Sequence, residues 1–152
     1  ADGLTHFKPY LEHNHNNRTL VLTPHLMELS KLTDQTLEQI KKDPVQSVVD
    51  LAIKAKAIVL VKGPSTILSD GIKTEILEIG NPGLATAGTG DVLAGVIGAF
   101  LGQYKDGFEA VKQSLILFDK AAQLAKEQQS EPGMIASDII SCLPKAFLFK
   151  NL

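Results

Sequence analysis

The sequence is short of three things: cysteine, net charge and long apolar runs. Its one thiol, Cys142, has no internal partner among 152 residues, so a disulfide scaffold is excluded and a reducing, cytoplasmic setting is expected. Lys and Arg number 15 against 17 Asp and Glu, a formal net charge of −2. That balance gives no basic field of the kind that holds nucleic acid or an anionic membrane surface. The longest apolar run, residues 92–101, is about half of the ~20 residues a helix needs to cross a bilayer. No stretch reads as a signal peptide. Internal repeats, low-complexity tracts and linkers are missing too. What is there is ordinary for a globular protein: 44% apolar and 21% charged residues. The length suits a single domain over residues 1–152, burying roughly 70% of its unfolded surface.

Punctuation and period predict alternating strands and helices. Residues 19–23, Thr-Leu-Val-Leu-Thr, are a β-branched and apolar run ending at Pro24, a buried strand; residues 57–61 are a second. Short helices are expected over 26–32 and 34–42. Asp43-Pro44 reads as an N-cap followed by proline at the first helical position, opening a helix to about Lys56. Val45, Val48, Val49, Ala52 and Ile53 form its apolar stripe. Residues 66–68 and 74–79 predict two more strands around an Asp70-Gly71 hairpin turn. Helices follow over 91–104 and 109–128. Pro132-Gly133 breaks the second, and Ser137 or Asp138 caps a last helix that reaches Pro144. Two strands apolar throughout and separated by helices predict an α/β class, with a mostly parallel sheet covered by helices on both faces.

The most informative stretch is Gly88-Thr89-Gly90-Asp91, a glycine turn followed by a carboxylate and then a long apolar helix. Glycine lacks the Cβ that would keep a ligand from the backbone. A helix starting near Asp91 directs its first N–H groups into that turn, an anion site suited to phosphate. A carboxylate there would repel phosphate, so its useful role is to accept a proton from a hydroxyl attacking a phosphoryl group. The plainer alternative is an Asp N-cap on a buried helix. No third glycine completes a dinucleotide fingerprint, and Lys62-Gly63-Pro64-Ser65-Thr66 lacks the spacing of a Walker loop. His13 and His15 stand in the Asn-rich run 12–17, a polar surface loop with no third ligand at fitting spacing; no metal ligands are assigned.

Residues 81–95, Asn-Pro-Gly-Leu-Ala-Thr-Ala-Gly-Thr-Gly-Asp-Val-Leu-Ala-Gly, resemble the signature of the NAD(P)H-hydrate dehydratases, a branch of the ribokinase-like superfamily. Further stretches resemble that family in the right order. Val21-Leu22-Thr23-Pro24-His25, with Glu28 after it, is similar to its Thr-Pro-His segment. Residues 59–66, containing Lys62-Gly63-Pro64-Ser65-Thr66, are similar to its Lys-Gly-x-x-Thr segment. Ala136-Ser137-Asp138 resembles its closing helix start, and Ala1-Asp2-Gly3-Leu4 the tail of its Asp-Ala-Asp-x-Leu strand end.

The resemblance implies a ribokinase-like fold and repair of NADH or NADPH that has gained water on the nicotinamide ring. It implies ADP or ATP as the nucleotide, with Mg²⁺ arriving on the phosphates. Asp91 is then the base that activates the substrate hydroxyl, and Gly88, Thr89 and Gly90 contact the nucleotide phosphates. His25 joins Asp91 in contacting the hydrate, and Lys62, Gly63, Pro64, Ser65 and Thr66 hold the nucleotide. Two positions depart from the family pattern: Leu26-Met27 where Pro-Gly is usual, and Ala87 where Gly is commoner. The resemblance covers the C-terminal half of the catalytic domain, and the chain begins without Met. A partner is therefore expected, either the other half or further copies in a homo-oligomer. Two other readings stay open: a ribokinase-like kinase for a carbohydrate or vitamin precursor, and a non-catalytic nucleotide-binding fragment that needs a second chain.

Overall fold

The structure is a computed structural model and describes residues 2–13, 18–63, 65–80 and 82–149. The chain divides into two compact units, residues 1–78 and 79–152.

The first unit opens with helix α1 (Asp2–Phe7) and a 3-10 turn (Lys8–Tyr10). Strand β1 (Val21–Leu22) is shorter than the run 19–23, although the Leu20 carbonyl extends its pairing by accepting the Ile58 N–H at 2.9 Å. Three helices follow, α2 (Leu26–Thr33), α3 (Leu37–Lys42) and α4 (Pro44–Ala55), before β2 (Ile58–Val61), β3 (Thr66–Ser69) and β4 (Thr74–Leu77). Each helix start carries its chemistry in the sequence. The Thr36 hydroxyl accepts the Gln39 N–H at 3.2 Å, and the Asp43 carboxylate accepts the Gln46 N–H at 2.9 Å. Strand order is β1-β2-β3-β4.

The sheet corrects one expectation. It is mixed, not mostly parallel: β1 is parallel to β2, β3–β4 is the antiparallel hairpin expected at Asp70-Gly71, and β2–β3 is antiparallel as well. Parallel strands need a crossover of about a dozen residues. Only residues 62–65 separate β2 from β3, and only 70–73 separate β3 from β4, so both pairs fold back. In the second turn Asp70 Oδ1 accepts the Ile72 and Lys73 N–H groups, and Gly71 takes φ +88°. A Cβ on Gly71 would stand 2.8 Å from Ile53 Cγ1.

Helix α4 brings a second correction. Helix α4 packs on β2 and β3, but its buried residues are Ser47, Val48, Leu51, Ala52 and Ala55. Val45 and Val49 are half-buried and Ile53 is exposed at the hairpin turn. Ser47 goes inward because its hydroxyl donates to the Asp43 carbonyl at 3.0 Å and so needs no other partner. The core of this unit joins Leu22, Leu29, Leu32, Ile40, Leu51 and Val59.

The second unit is helical. After a 3-10 turn (Pro82–Ala85) come α5 (Thr89–Leu101), α6 (Gly107–Gln129) and α7 (Ala136–Ala146), each packed on the other two. Asp106 caps α6 by accepting the Phe108 and Glu109 N–H groups at 2.9 and 3.2 Å. Asp138 Oδ2 accepts the Ile135 N–H at 2.9 Å and closes the start of α7, while Pro144 lies in its last turn. Phe100 stacks on Tyr104 and Phe147, with ring centroids 5.5 and 6.3 Å apart. Among the described residues no helix is long and apolar enough to cross a membrane.

Candidate active site

The residues singled out by sequence fall into two groups, one in each unit. In the first, β1 and β2 run parallel and carry His25 and Lys62 at their C-terminal ends. His25 and Lys62 form a parallel bridge, and the Lys62 N–H donates to the Pro24 carbonyl at 3.3 Å. These two functional candidates, 37 positions apart in the chain, become strand-end neighbours.

His25 is also the N-cap of α2. Its Nδ1 accepts the Glu28 N–H at 3.2 Å, and its own backbone N–H donates to Glu28 Oε2 at 2.9 Å, a reciprocal capping box. Leu26-Met27 therefore serves as the first turn of the helix in place of the usual Pro-Gly. The Glu28 carboxylate is buried, whereas the imidazole is more than half exposed. Nε2 lies 3.6 Å from Glu28 Oε2, too far for a hydrogen bond. Burial lowers the His25 pKa below the ordinary histidine value, and the Lys62 ammonium pushes it the same way. Both influences favour the neutral form of the ring.

The rest of the Lys-Gly-x-x-Thr segment forms the β2–β3 turn. Lys62 is half-buried, Gly63 and Ser65 are exposed, and Thr66 is buried as the first residue of β3, paired with Leu77. The Ser65 hydroxyl donates to Glu78 Oε1 at 2.8 Å. Pro64 lies outside the described residues, as do His15 and Asn81.

In the second unit the glycine turn is fixed by its backbone. Gly88 caps α5 with φ +87°, a left-handed conformation that a side chain would oppose, and a Cβ there would stand 3.2 Å from the Ala136 Cβ. Its carbonyl accepts the Asp91 and Val92 N–H groups, each at 3.1 Å. Thr89 turns inward: its hydroxyl bridges the Leu84 and Thr86 carbonyls at 2.7 and 2.9 Å, so its side chain braces the loop. Gly90 is the second helical residue, and its N–H precedes the first i→i−4 partner. Asp91 is the third helical residue, so Gly88 is the cap and the Asp N-cap alternative does not hold. The Asp91 carboxylate is exposed, with no hydrogen bond or ion pair to another described residue.

Sequence reasoning assigned no role to three residues that shape these groups. Glu28 was detectable, since the His-x-x-Glu spacing is that of a capping box. Asp119 was not: from the middle of α6 its Oδ1 accepts the Gly80 N–H at 2.6 Å, holding the lead-in of the loop. Glu78 likewise reaches Ser65 only through the hairpin. Asp119 and Glu78 have no local motif.

The family model described as NAD(P)H-hydrate dehydratase matches residues 1–145. The bifunctional NAD(P)H-hydrate repair enzyme Nnr of Thermofilum pendens is 38% identical over 149 residues, 96% of this chain and 28% of that one. The Bacillus subtilis ADP/ATP-dependent NAD(P)H-hydrate dehydratase, crystallised with ATP and Mg²⁺, superposes with a TM-score of 0.81 at 24% identity. It covers 90% of this chain and 50% of the Bacillus one. A ribokinase-like superfamily protein of Enterococcus faecalis gives a TM-score of 0.76 at 28% identity, covering 95% of this chain and 49% of its own. The fold is thus ribokinase-like, and the chain spans from about a quarter to half the length of these relatives.

Proposed function

The chain belongs to the NAD(P)H-hydrate dehydratase family, and on that premise we propose that it takes part in nucleotide-dependent dehydration of NADH or NADPH hydrate. The observation that carries this reading is Asp91, an exposed carboxylate in the first turn of α5 directly after the left-handed Gly88. A base is wanted at that place, because hydroxide leaves a carbon poorly and must first be phosphorylated.

In this reading Asp91 accepts the proton of the substrate hydroxyl as that oxygen attacks the terminal phosphoryl group of ADP or ATP. The bond from that phosphorus to the nucleotide breaks, and the substrate carries a phosphate ester. Its C–O bond then breaks with loss of inorganic phosphate, the neighbouring carbon gives up a proton, and the ring double bond returns. The Gly88-Thr89-Gly90 backbone and the N-terminus of α5 face the negative charge of the transferring group. His25 contacts the hydrate, while Lys62, Gly63, Ser65, Thr66 and Pro64 hold the nucleotide.

Mg²⁺, carried on the phosphates, would neutralise charge during transfer. Among the described residues no three His, Cys, Asp or Glu side chains gather into a metal cage.

Both units are taken as parts of one partial ribokinase-like domain, a reading supported by the Bacillus neighbour covering 90% of this chain. The remainder of the domain, or further copies of this chain, is proposed to complete the substrate wall. The position of β1 at the end of the sheet supports this, since an open edge invites pairing. The proposed compartment is the cytoplasm, in keeping with the lone thiol.

The test is to incubate the chain with NADH hydrate, Mg²⁺ and either ADP or ATP, and to follow the return of NADH absorbance. Recovery that vanishes in Asp91→Asn supports the assignment. A stable phosphorylated product without NADH would instead identify a kinase.

A further inference from the structure

The Thr-Pro-His segment contains a feature that the reaction as proposed does not use. His25 and Glu28 bind each other twice, and one of the two bonds decides the state of the imidazole. Because Nδ1 accepts the Glu28 N–H at 3.2 Å, it cannot carry a proton while that bond lasts. The single proton of the neutral ring then sits on Nε2. That Nε2–H has no acceptor within hydrogen-bond distance among the described residues, Glu28 Oε2 being 3.6 Å away. The second bond, from the His25 N–H to Glu28 Oε2 at 2.9 Å, holds the cap in place from the other side.

We propose that Glu28 is the positioning residue for His25, fixing a neutral imidazole that presents an Nε2–H donor to an oxygen of the bound ligand. The proposal rests on the reading that His25 contacts the hydrate, and it adds the polarity of that contact: a ligand oxygen acceptor is recognised, a donor is refused. Charged groups bear on the ring. Lys62 at the end of β2 and Lys31 on α2 disfavour its protonation, while the buried Glu28 carboxylate lies on the same first turn. Protonating Nδ1 would set two donors against each other and open the cap.

The tautomer can be read without any activity. In the full chain labelled with ¹⁵N-histidine, long-range ¹⁵N–¹H correlation near pH 8 distinguishes the tautomers, with His25 identified by its loss in His25→Asn. One fixed Nε2–H form is expected. An Nδ1–H form, or averaging between the two, overturns the proposal. Glu28→Gln keeps an oxygen to accept the His25 N–H and is expected to retain the single tautomer. Glu28→Ala is expected to lose it, and an unchanged tautomer in Glu28→Ala, confirmed as folded by circular dichroism, refutes the positioning role. Adding NADH hydrate is expected to shift the Nε2–H resonance. If the tautomer is fixed and no shift occurs, the ligand-contact reading falls while the capping geometry stands.

Discussion

The two candidate groups are held by different means. His25 is placed by side-chain chemistry, a capping box with Glu28 at the end of β1. Asp91 is placed by the backbone, three residues after a left-handed glycine whose carbonyl collects the Asp91 and Val92 N–H groups. A group fixed by reciprocal side-chain bonds can be altered one bond at a time. A group fixed by a special φ angle fails as a whole when that residue changes. In the second group, placement and chemistry therefore separate cleanly between two residues.

The sharpest test of that separation is Asp91→Asn. A positioned general base contributes ~10²–10⁴-fold to rate, so the variant is expected to lose that much in steady-state NADH recovery. Its melting temperature should change little, because the exposed carboxylate bonds no other described residue and loses only its favourable place at the α5 N-terminus, worth ~0.3–1 kcal/mol. Gly88→Val should do the reverse, acting first on stability. A left-handed residue with a side chain costs roughly 1–2 kcal/mol, and the new Cβ would press on the Ala136 Cβ at 3.2 Å. Chemical denaturation would measure the loss. A Gly88→Val variant as stable as the parent would mean that the turn is not held as described.

His25→Ala tests the other group, with a smaller effect on stability of about 1 kcal/mol, the usual worth of a side-chain cap. Its signature is pH dependence. The folded His25 pKa is depressed, so the unfolded chain binds the proton more readily. The cap's contribution is present above the ordinary value of about 6.5 and lost as pH falls through the folded value. Melting curves taken between about pH 5 and 8 should fall less steeply towards acid in His25→Ala than in the parent. Equal slopes would remove His25 from the cap.

The same contrast sets what could be read in the sequence. Local chemistry was legible: the Asp43-Pro44 start of α4, the Asp70-Gly71 turn and the glycine turn before α5 all stand where their residues predicted. Pairing across the sheet was less so. The apolar runs 19–23 and 57–61 do pair in parallel, yet the four residues between β2 and β3 turn 66–68 back antiparallel, so the sheet is mixed rather than mostly parallel. On α4 the stripe was misjudged by ranking Ile53 above Ser47, because a serine that satisfies its hydroxyl within its own helix buries as easily as an apolar residue. In the candidate site His25, Lys62 and Asp91 were named from motifs, but the bridge between His25 and Lys62 follows from register and was not. Asp119 and its bond to Gly80, 39 residues away, left no local trace.

The register between His25 and Lys62 yields the smallest and most specific expectation. Lys62 sits beside His25 at the strand end and disfavours a second positive charge there. Replacing it with methionine keeps the length and apolar stem of the side chain and removes only the ammonium. The His25 pKa should therefore rise in Lys62→Met, part of the way towards its ordinary value, since burial, the larger cause of the depression, remains. NMR titration of the imidazole would record the shift, and β2 pairing should survive because the Lys62 N–H that reaches Pro24 belongs to the backbone. An unmoved pKa would show that the two side chains do not sense each other's charge, and the parallel bridge would then join their backbones alone. A rise in pKa together with weaker nucleotide binding would instead tie the imidazole and the ammonium into one electrostatic unit, in which filling the nucleotide site retunes the residue proposed to meet the hydrate.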